Sequence, residues 1–388
     1  MRVLVCPQEF KGSLTAQQAA SAIARGARRA IARSGVAGCV VERPIADGGP
    51  GTLDLLAAAP AARVRRVAVT GPLGEPVSAR LALLPRPEGT PIAVVESAEA
   101  CGLARLPAGR RDPARATTRG VGELLARAFD AGAREVVIGV GGTATNDGGS
   151  GAARALGLML RDARGAPLAE GGGALGDLAR IERAGGPGPP GAFRGAVLRI
   201  AVDVQNPLLG PEGATATYGP QKGVDAALAA RLEVGLARWA ARCREDLGVD
   251  AAGVAGAGAG GGLPLGLLAA AAAGGAEARV EGGAALVGEA VGLASAARRS
   301  DLIITGEGRL DEQSAFGKAT SYAAALAASA GRPCLAVCGE LTSWPPGVLD
   351  AEAAGAGRSD EEAMRRAEPL VALAAERLLT RYLASGGA

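Results

Sequence analysis

Short apolar runs that stop at glycine or polar turns alternate along the chain with Ala-rich stretches of helical period. That alternation is expected of a parallel sheet covered by helices. Arg2–Cys6 reads as a buried strand, and a helix follows from about Thr15, a capping residue, to Ser34. Val40–Pro44 reads as a second strand ending in the turn Ala46-Asp47-Gly48-Gly49, with a helix over Thr52–Ala59 behind it. From Arg63 to Leu84 the pattern changes: VRRVAVT, GPLGEP and VSARLALL predict two strands around a turn, an antiparallel hairpin. Further strands are predicted at Ile92–Glu96, Glu135–Val140, Val197–Val202, Leu302–Thr305 and Pro333–Cys338. Helices are predicted at Gly120–Ala131, Ala226–Leu247 and Asp360–Ala384. Residues 165–196, which contain GGPGPPG, read as an irregular connection. The Ala/Gly tract 251–276 has the composition of a linker, but apolar periodicity and another strand follow it. Together these signals predict an α/β chain in two domains. A Rossmann-like parallel-sheet domain takes residues 1–70 and 285–388, and a second α/β domain, residues 71–284, is inserted into it.

Composition narrows the chemistry. The 388 residues include 61 glycines but only 2 Trp, 3 Tyr and 4 Phe, so the core must be built from Ala, Val and Leu. The net charge of +3 comes from 42 basic and 39 acidic residues that are interspersed, which gives no reason to expect nucleic acid or a membrane surface as partner. There is no histidine, which excludes Ser-His-Asp hydrolysis, imidazole zinc sites and the histidine-dependent protein-kinase loop. Acid–base work falls to Asp, Glu, Lys or Tyr, and any metal should be a hard cation held by oxygen. Six scattered cysteines with no CxxC pair read as reduced thiols. With no apparent signal peptide and no long uncharged apolar run, the expected location is the cytoplasm.

Five segments carry candidate chemistry. In EVVIGVGGTATNDGGSG a strand runs into Gly141, Gly142, Thr143, Thr145, Asn146 and Asp147. Glycines there let backbone N–H groups approach an anion, and the Asp can hold a cation or accept a proton. In DLIITGEGRLDEQSAFGK another strand end gathers Glu307, Arg309, Asp311, Gln313 and Lys318, as expected at the carboxyl edge of an open sheet. Asp203 ends the strand Val197–Val202, where it can serve as a general base or simply as a turn former. Lys11 follows the first strand, and Asp47 lies at the end of the second. The tract Gly256–Gly262 matches G-x-G-x-x-G, with Gly258 and Gly260 inside it, but glycine is too common there for the match to indicate a dinucleotide. The Gly317-Lys318 pair is not a Walker A loop, because Glu312 and Ala319 stand where Gly and Ser/Thr are required.

Taken in order, these strings resemble the bacterial glycerate kinase family of the type that makes 2-phosphoglycerate. The resemblance is carried by FKGSLTA (Phe10–Ala16), PIADGG (Pro44–Gly49), GPLGEPV (Gly71–Val77) and RDPARATTRGVGEL (Arg111–Leu124). GVGGTATNDGGSG (Gly139–Gly151), DVQNPLLGPEGA (Asp203–Ala214), GPQKG (Gly219–Gly223), GAGAGGGL (Gly256–Leu263) and TGEGRLDEQSAFGK (Thr305–Lys318) complete it. The chain departs from the family's pattern at Gln8 and Glu9, where an acidic residue and a serine are usual, at Pro50 in place of glutamate, and at Arg119 in place of tyrosine.

The resemblance implies that ATP, Mg2+ and glycerate meet in an interdomain cleft, with a homodimer left open. It implies Asp203 as base for the glycerate hydroxyl. Lys11, Lys222 and Arg309 would bind the carboxylate or the moving phosphoryl group. The turn Gly141–Asp147 would cradle phosphates, with Asp47, Asn206, Gln221, Gly258, Gly260 and Lys318 beside the ligands and Asp147, Glu307 or Asp311 on the metal. A kinase giving 3-phosphoglycerate, or acting on another hydroxy-acid, is the nearest alternative. Remoter ones are a nicotinamide oxidoreductase, suggested by Gly139-x-Gly141-x-x-Ala144, and a non-catalytic ligand-binding regulator.

Overall fold

In the computed structural model, residues 1–59, 61–86, 89–183, 193–311, 319–343 and 345–386 are described. The chain divides into two compact units, Met1–Asp47 with Ala284–Ala388, and Gly48–Gly283. The first unit opens with strand β1 (Arg2–Val5), helix α1 (Ala16–Ser34) and strand β2 (Cys39–Glu42). The second unit follows as α2 (Thr52–Ala57), β3 (Arg63–Thr70), β4 (Pro76–Leu84), β5 (Ile92–Glu96), α3 (Ser97–Cys101), α4 (Arg119–Asp130) and β6 (Glu135–Gly139). It continues with α5 (Ser150–Ala155), β7 (Leu158–Arg161), β8 (Arg180–Arg183), β9 (Val197–Val202), α6 (Ala214–Lys222), α7 (Ala226–Leu247), α8 (Ala259–Gly274) and β10 (Glu277–Gly282). The chain returns to the first unit through α9 (Gly283–Ala290), α10 (Leu293–Arg298), β11 (Leu302–Leu310), α11 (Ala319–Ser329), β12 (Cys334–Leu341), β13 (Asp350–Ala353), α12 (Asp360–Arg365) and α13 (Ala367–Ala384).

The first unit's sheet runs β13-β12-β11-β1-β2, and every pairing is parallel. Its central strands β1, β11 and the first half of β12 are buried on both faces, which is why they read as unbroken apolar runs. Val3, Val5, Leu302 and Ile304 face the buried side of α1 and α13, whereas Leu4, Cys6 and Ile303 face α10 and α11. Thr15 caps α1: its Oγ1 accepts from Gln18 N, and the Gln18 side chain accepts from Thr15 N. The Ala-rich face of α1 lets α13 come unusually close. A Cβ placed on Gly26 would stand 2.1 Å from Ala372 O.

The second unit's sheet runs β10-β9-β6-β5-β4-β3. β10, β9, β6 and β5 are mutually parallel, and β4 and β3 add antiparallel at one side as the predicted hairpin. Because β3 hydrogen-bonds to β4 along its whole length, the chain enters the second unit at Gly48, earlier than the boundary at residue 70 expected from the hairpin's turn. The return falls at Gly283/Ala284, beside the expected 284/285.

One expectation needs correcting. Residues 180–183 of the supposed irregular connection form β8, which pairs antiparallel with β7; Ile181 is buried and its N–H donates to Asp246 on α7. Residues 184–192 lie outside the described residues. The Ala/Gly tract is no linker, in line with the apolar periodicity that follows it. It holds α8, whose Leu263, Leu265, Leu267, Ala269 and Ala270 are buried. Among the described residues, no helix is long and apolar enough to cross a membrane, and all six cysteines are free, five of them buried.

Candidate active site

In the second unit the carboxyl ends of β5, β6 and β9 bring four of the sequence motifs together. β6 delivers the loop Val140–Gly149 into α5. Only its tip reaches the surface: Gly142 is exposed and Gly141 half-buried, while Thr143, Thr145, Asn146 and Asp147 are buried. Ser97, at the start of α3, brackets the tip. Its Oγ lies 3.3 Å from both the N and the O of Gly141. The glycine loop is therefore a short exposed turn on a braced, buried base.

The bracing is specific. Asp147 accepts from Thr118 N (2.9 Å), Thr118 Oγ1 (2.8 Å), Gly149 N (3.1 Å) and Gly151 N (3.2 Å). Burial pushes its carboxyl upward and the four donors pull it back, for a net rise. With its oxygens taken up by the chain, Asp147 ties the start of α5 to the start of α4. That is a structural task, where the sequence suggested a metal ligand. Lys222, at the end of α6, is 2% exposed. Its Nζ donates to Thr145 O (2.6 Å) and lies 3.5 Å from Thr143 Oγ1. Burial lowers its pKa to about 8, against the opposing pull of Cys101 and Asp147. Asn146 Nδ2 donates to Thr215 Oγ1 (3.0 Å), leaving Asn146 Oδ1 buried without a hydrogen-bond partner.

The Gly256–Gly262 tract completes the base. Gly260, Gly261 and Gly262 are consecutively left-handed (φ 58°, 71° and 89°), and the regular turns of α8 begin after them. A Cβ on Gly261 would stand 2.0 Å from Thr145 O, and one on Gly260 2.7 Å from Val140 Cγ1. Gly258 packs against Pro207 O, and its N–H donates to Asn206 O. Gly258 and Gly260, read from the sequence as ligand-side residues, thus press the loop from behind.

Asp203 follows β9 and is half-buried. Tyr218 of α6 lies near it, and burial together with the Asp203 charge pushes the phenol up to about 12. Tyr218 Oη donates to Asn206 Oδ1 (2.6 Å), while Asn206 Nδ2 donates to Glu212 O (2.8 Å). Gln221 presents an exposed side chain, and its carbonyl accepts from Arg111 Nη1 (2.9 Å). Tyr218 and Glu96 are absent from the sequence-based candidates. The rarity of tyrosine was a usable signal for the first. For the second, the signal was a carboxylate closing an otherwise apolar strand.

The first unit has its own polar edge, at the carboxyl ends of β1, β2 and β11. Gln8 N donates to Gly306 O (2.8 Å), and Ile45 N to Pro7 O (3.0 Å), which draws the three strand exits together. Gln8 Nε2 donates to Asp47 Oδ2 (2.6 Å). Glu9 has its carboxyl pushed up by burial and by Asp47, and drawn down by Lys11. Lys11 itself is exposed. A Cβ on Gly308 would lie 3.2 Å from Lys11 N, so β11 passes close beneath the Lys11 turn. Glu307 is buried. Arg309 Nε stands 3.5 Å from both Asp311 Oδ2 and Glu340 Oε2. Lys318 and Gln313 lie outside the described residues.

Comparison with known proteins agrees with this arrangement of motifs. The model of the glycerate kinase family matches residues 3–383. The chain is 41% identical over 342 residues to the glycerate kinase of Bacillus subtilis, covering 88% of this chain and 86% of that one. It is 39% identical over 342 residues to the glycerate 2-kinase of Escherichia coli K12, with the same coverage. A crystal structure from Salmonella typhimurium LT2, provisionally assigned as a glycerate kinase 2, superposes with a TM-score of 0.82 at 36% identity over 100% of both chains. With its motifs in order and its full length matched, the chain belongs to the glycerate kinase family.

Proposed function

We propose that this enzyme transfers the γ-phosphoryl group of ATP to the 2-hydroxyl of D-glycerate, giving ADP and 2-phosphoglycerate. The family and the 39% identity to a glycerate 2-kinase support the reaction. The observation that supports these site roles is that each unit carries a polar edge of its own kind. One is an exposed glycine tip, Gly141–Gly142, on a rigid buried base; the other is an edge bearing the exposed cation Lys11 and the solvent-facing Arg309. Phosphoryl transfer asks a protein mainly for positioning and charge neutralisation, and these two features supply them.

In this reading Asp203 orients the glycerate 2-hydroxyl and accepts its proton as that oxygen bonds to the γ-phosphorus. The bond from the γ-phosphorus to the bridging oxygen breaks, and ADP leaves. Lys11 and Arg309 hold the glycerate carboxylate or the moving phosphoryl group. The exposed Gly142 backbone at the tip faces the nucleotide phosphates, with Gly141 held by Ser97. Lys222 keeps the tip in place through Thr145 O rather than touching substrate. A magnesium ion would neutralise phosphate charge. Glu307 and Asp311, both oxygen donors, are the residues to hold it directly or through water. Among the described residues, no three acidic or cysteine side chains gather as a metal cage, which suits an ion carried chiefly by phosphates and water.

The test is turnover of ATP, magnesium and D-glycerate with the product's position read by phosphorus NMR, in wild type and Asp203→Asn. The expected results are a 2-phosphoglycerate signal and a loss of about 100-fold or more in kcat for the variant. A 3-phosphoglycerate signal would reassign the acceptor carbon. Wild-type turnover in Asp203→Asn would remove the base assignment.

A further inference from the structure

Glu96 ends β5 and is 5% exposed, a carboxyl almost wholly inside the second unit. Its Oε1 accepts from Leu53 N at 2.6 Å. Leu53 lies at the head of α2, just after the chain enters this unit at Gly48. Gly48, Gly49 and Pro50, at the start of this segment, lie against the carboxyl edge of the sheet and the glycine tip. A Cβ on Gly139 would stand 2.4 Å from Gly48 O, and one on Gly48 would stand 2.9 Å from the Ala201 Cβ. A Cβ on Gly141 would lie 3.2 Å from the Gly49 Cα, and one on Gly142 3.1 Å from Pro50 Cγ. Thr52 Oγ1 donates to Gly49 O (2.8 Å), which closes the turn. The segment Gly48–Leu53 is thus a strap over the loop tip, with the Glu96–Leu53 bond fastening its far end.

We propose that Glu96 is a positioning residue, whose buried carboxyl anchors the Gly48–Leu53 strap and through it fixes the conformation of the Gly141–Gly142 tip. The neighbouring charges do not give Glu96 a counter-ion of its own. Arg80 of β4 is engaged by Asp54 of α2 and Glu99 of α3, and both of these acids add repulsion at Glu96. Burial above all holds its pKa up, to about 7, and outweighs the Leu53 N–H bond and Arg80, which favour the ionised form. Released into water the carboxyl would titrate as an ordinary glutamate. Ionisation therefore favours release, and the anchor slackens as pH rises from about 4.5, the ordinary glutamate value, to about 7, and no further above it. The neutral acid keeps its carbonyl acceptor for Leu53 N, and so does a glutamine.

The test is hydrogen exchange by mass spectrometry, corrected for intrinsic rates, on peptides covering residues 48–57 and 139–149 from pH 5 to 8. Wild type, Glu96→Gln and Glu96→Ala are compared, with steady-state kinetics alongside. Expected for Glu96→Ala is exchange about tenfold faster in both segments at every pH, with a KM for ATP raised about tenfold and kcat changed less. Expected for wild type is exchange that accelerates in both segments between about pH 5 and pH 7 and levels off above it. Glu96→Gln should abolish that acceleration while rescuing the KM, and this comparison holds even if Glu96→Ala fails to fold. Acceleration confined to residues 48–57 would overturn the proposal. So would an equal loss of kcat in both variants with exchange unchanged, which would place the carboxyl in the chemistry. The kinetic arm rests on the phosphate-side reading of the tip, whereas the exchange arm does not, so failure of one is distinguishable from failure of the other.

Discussion

The two polar edges are built from the same ingredients and use them differently. The second unit's edge buries its lysine: Lys222 is fastened to a backbone carbonyl, under a loop whose Thr, Asn and Asp side chains point into the protein. The first unit's edge leaves its lysine, Lys11, in solvent beside half-buried Asp47 and Glu9. A buried charge is tolerated only where it is well bonded, so Lys222 is committed to holding one geometry. An exposed charge loses little on meeting an anion and is available to a ligand. The comparison teaches that in this chain residue type alone does not separate support from contact; burial does.

The glycines differ in the same way, and substitutions there test the comparison most severely. Gly261→Ala imposes a side chain on a left-handed residue (φ 71°) with Thr145 O only 2.0 Å from the new Cβ. Strain and overpacking together should cost about 3 kcal/mol or more, read as a large fall in Tm and loss of turnover. A stable, active Gly261→Ala would mean that the base of the loop is not rigid.

Lys222→Met should lower kcat/KM about 100-fold, because Thr145 O loses its donor and the tip shifts. It should also change the pH dependence of stability. The folded pKa of about 8 lies below the ordinary value of 10.5, so the wild-type contribution is fully present above about 10.5 and is lost as pH falls through about 8. The denaturant midpoint of wild type relative to the variant should therefore rise between pH 7 and 11, the buried cysteines, whose raised pKa values lower stability above about pH 9, being common to both.

Lys11→Ala should raise the KM for glycerate or ATP about tenfold while leaving stability within about 0.5 kcal/mol, since the side chain is exposed. Loss of stability with unchanged kinetics would erase the distinction between the two lysines. Gly12→Ala should have the smallest effect. Its φ of 80° is also left-handed, but nothing lies within 4 Å of the new Cβ, so only the backbone strain of about 1 kcal/mol is expected.

Much of the fold was legible along the chain. The all-parallel first sheet followed from apolar runs at Arg2–Val5 and Leu302–Thr305, because strands buried on both faces carry no polar alternation. The β3–β4 hairpin followed from the change of period at Arg63. The helix α8 was not legible, since a run of glycine and alanine gives neither amphipathic contrast nor strong propensity until its neighbours are known. The short β8 was hidden for a similar reason: one buried isoleucine between charged residues does not announce a strand.

By itself the sequence determined the family, the order of the motifs and the absence of histidine chemistry, because those depend only on which residues are present and in what order. Only the tertiary structure decided which motif residues face outward. Thr145 is braced by Gly260, 115 positions away, Asp147 by Thr118, and Glu96 holds Leu53 from 43 positions away. Burial is a property of what packs against a residue, and the packing partners here come from remote parts of the chain. The same lysine or aspartate can therefore be a ligand contact or a structural clamp, and only the neighbours supplied by folding distinguish the two.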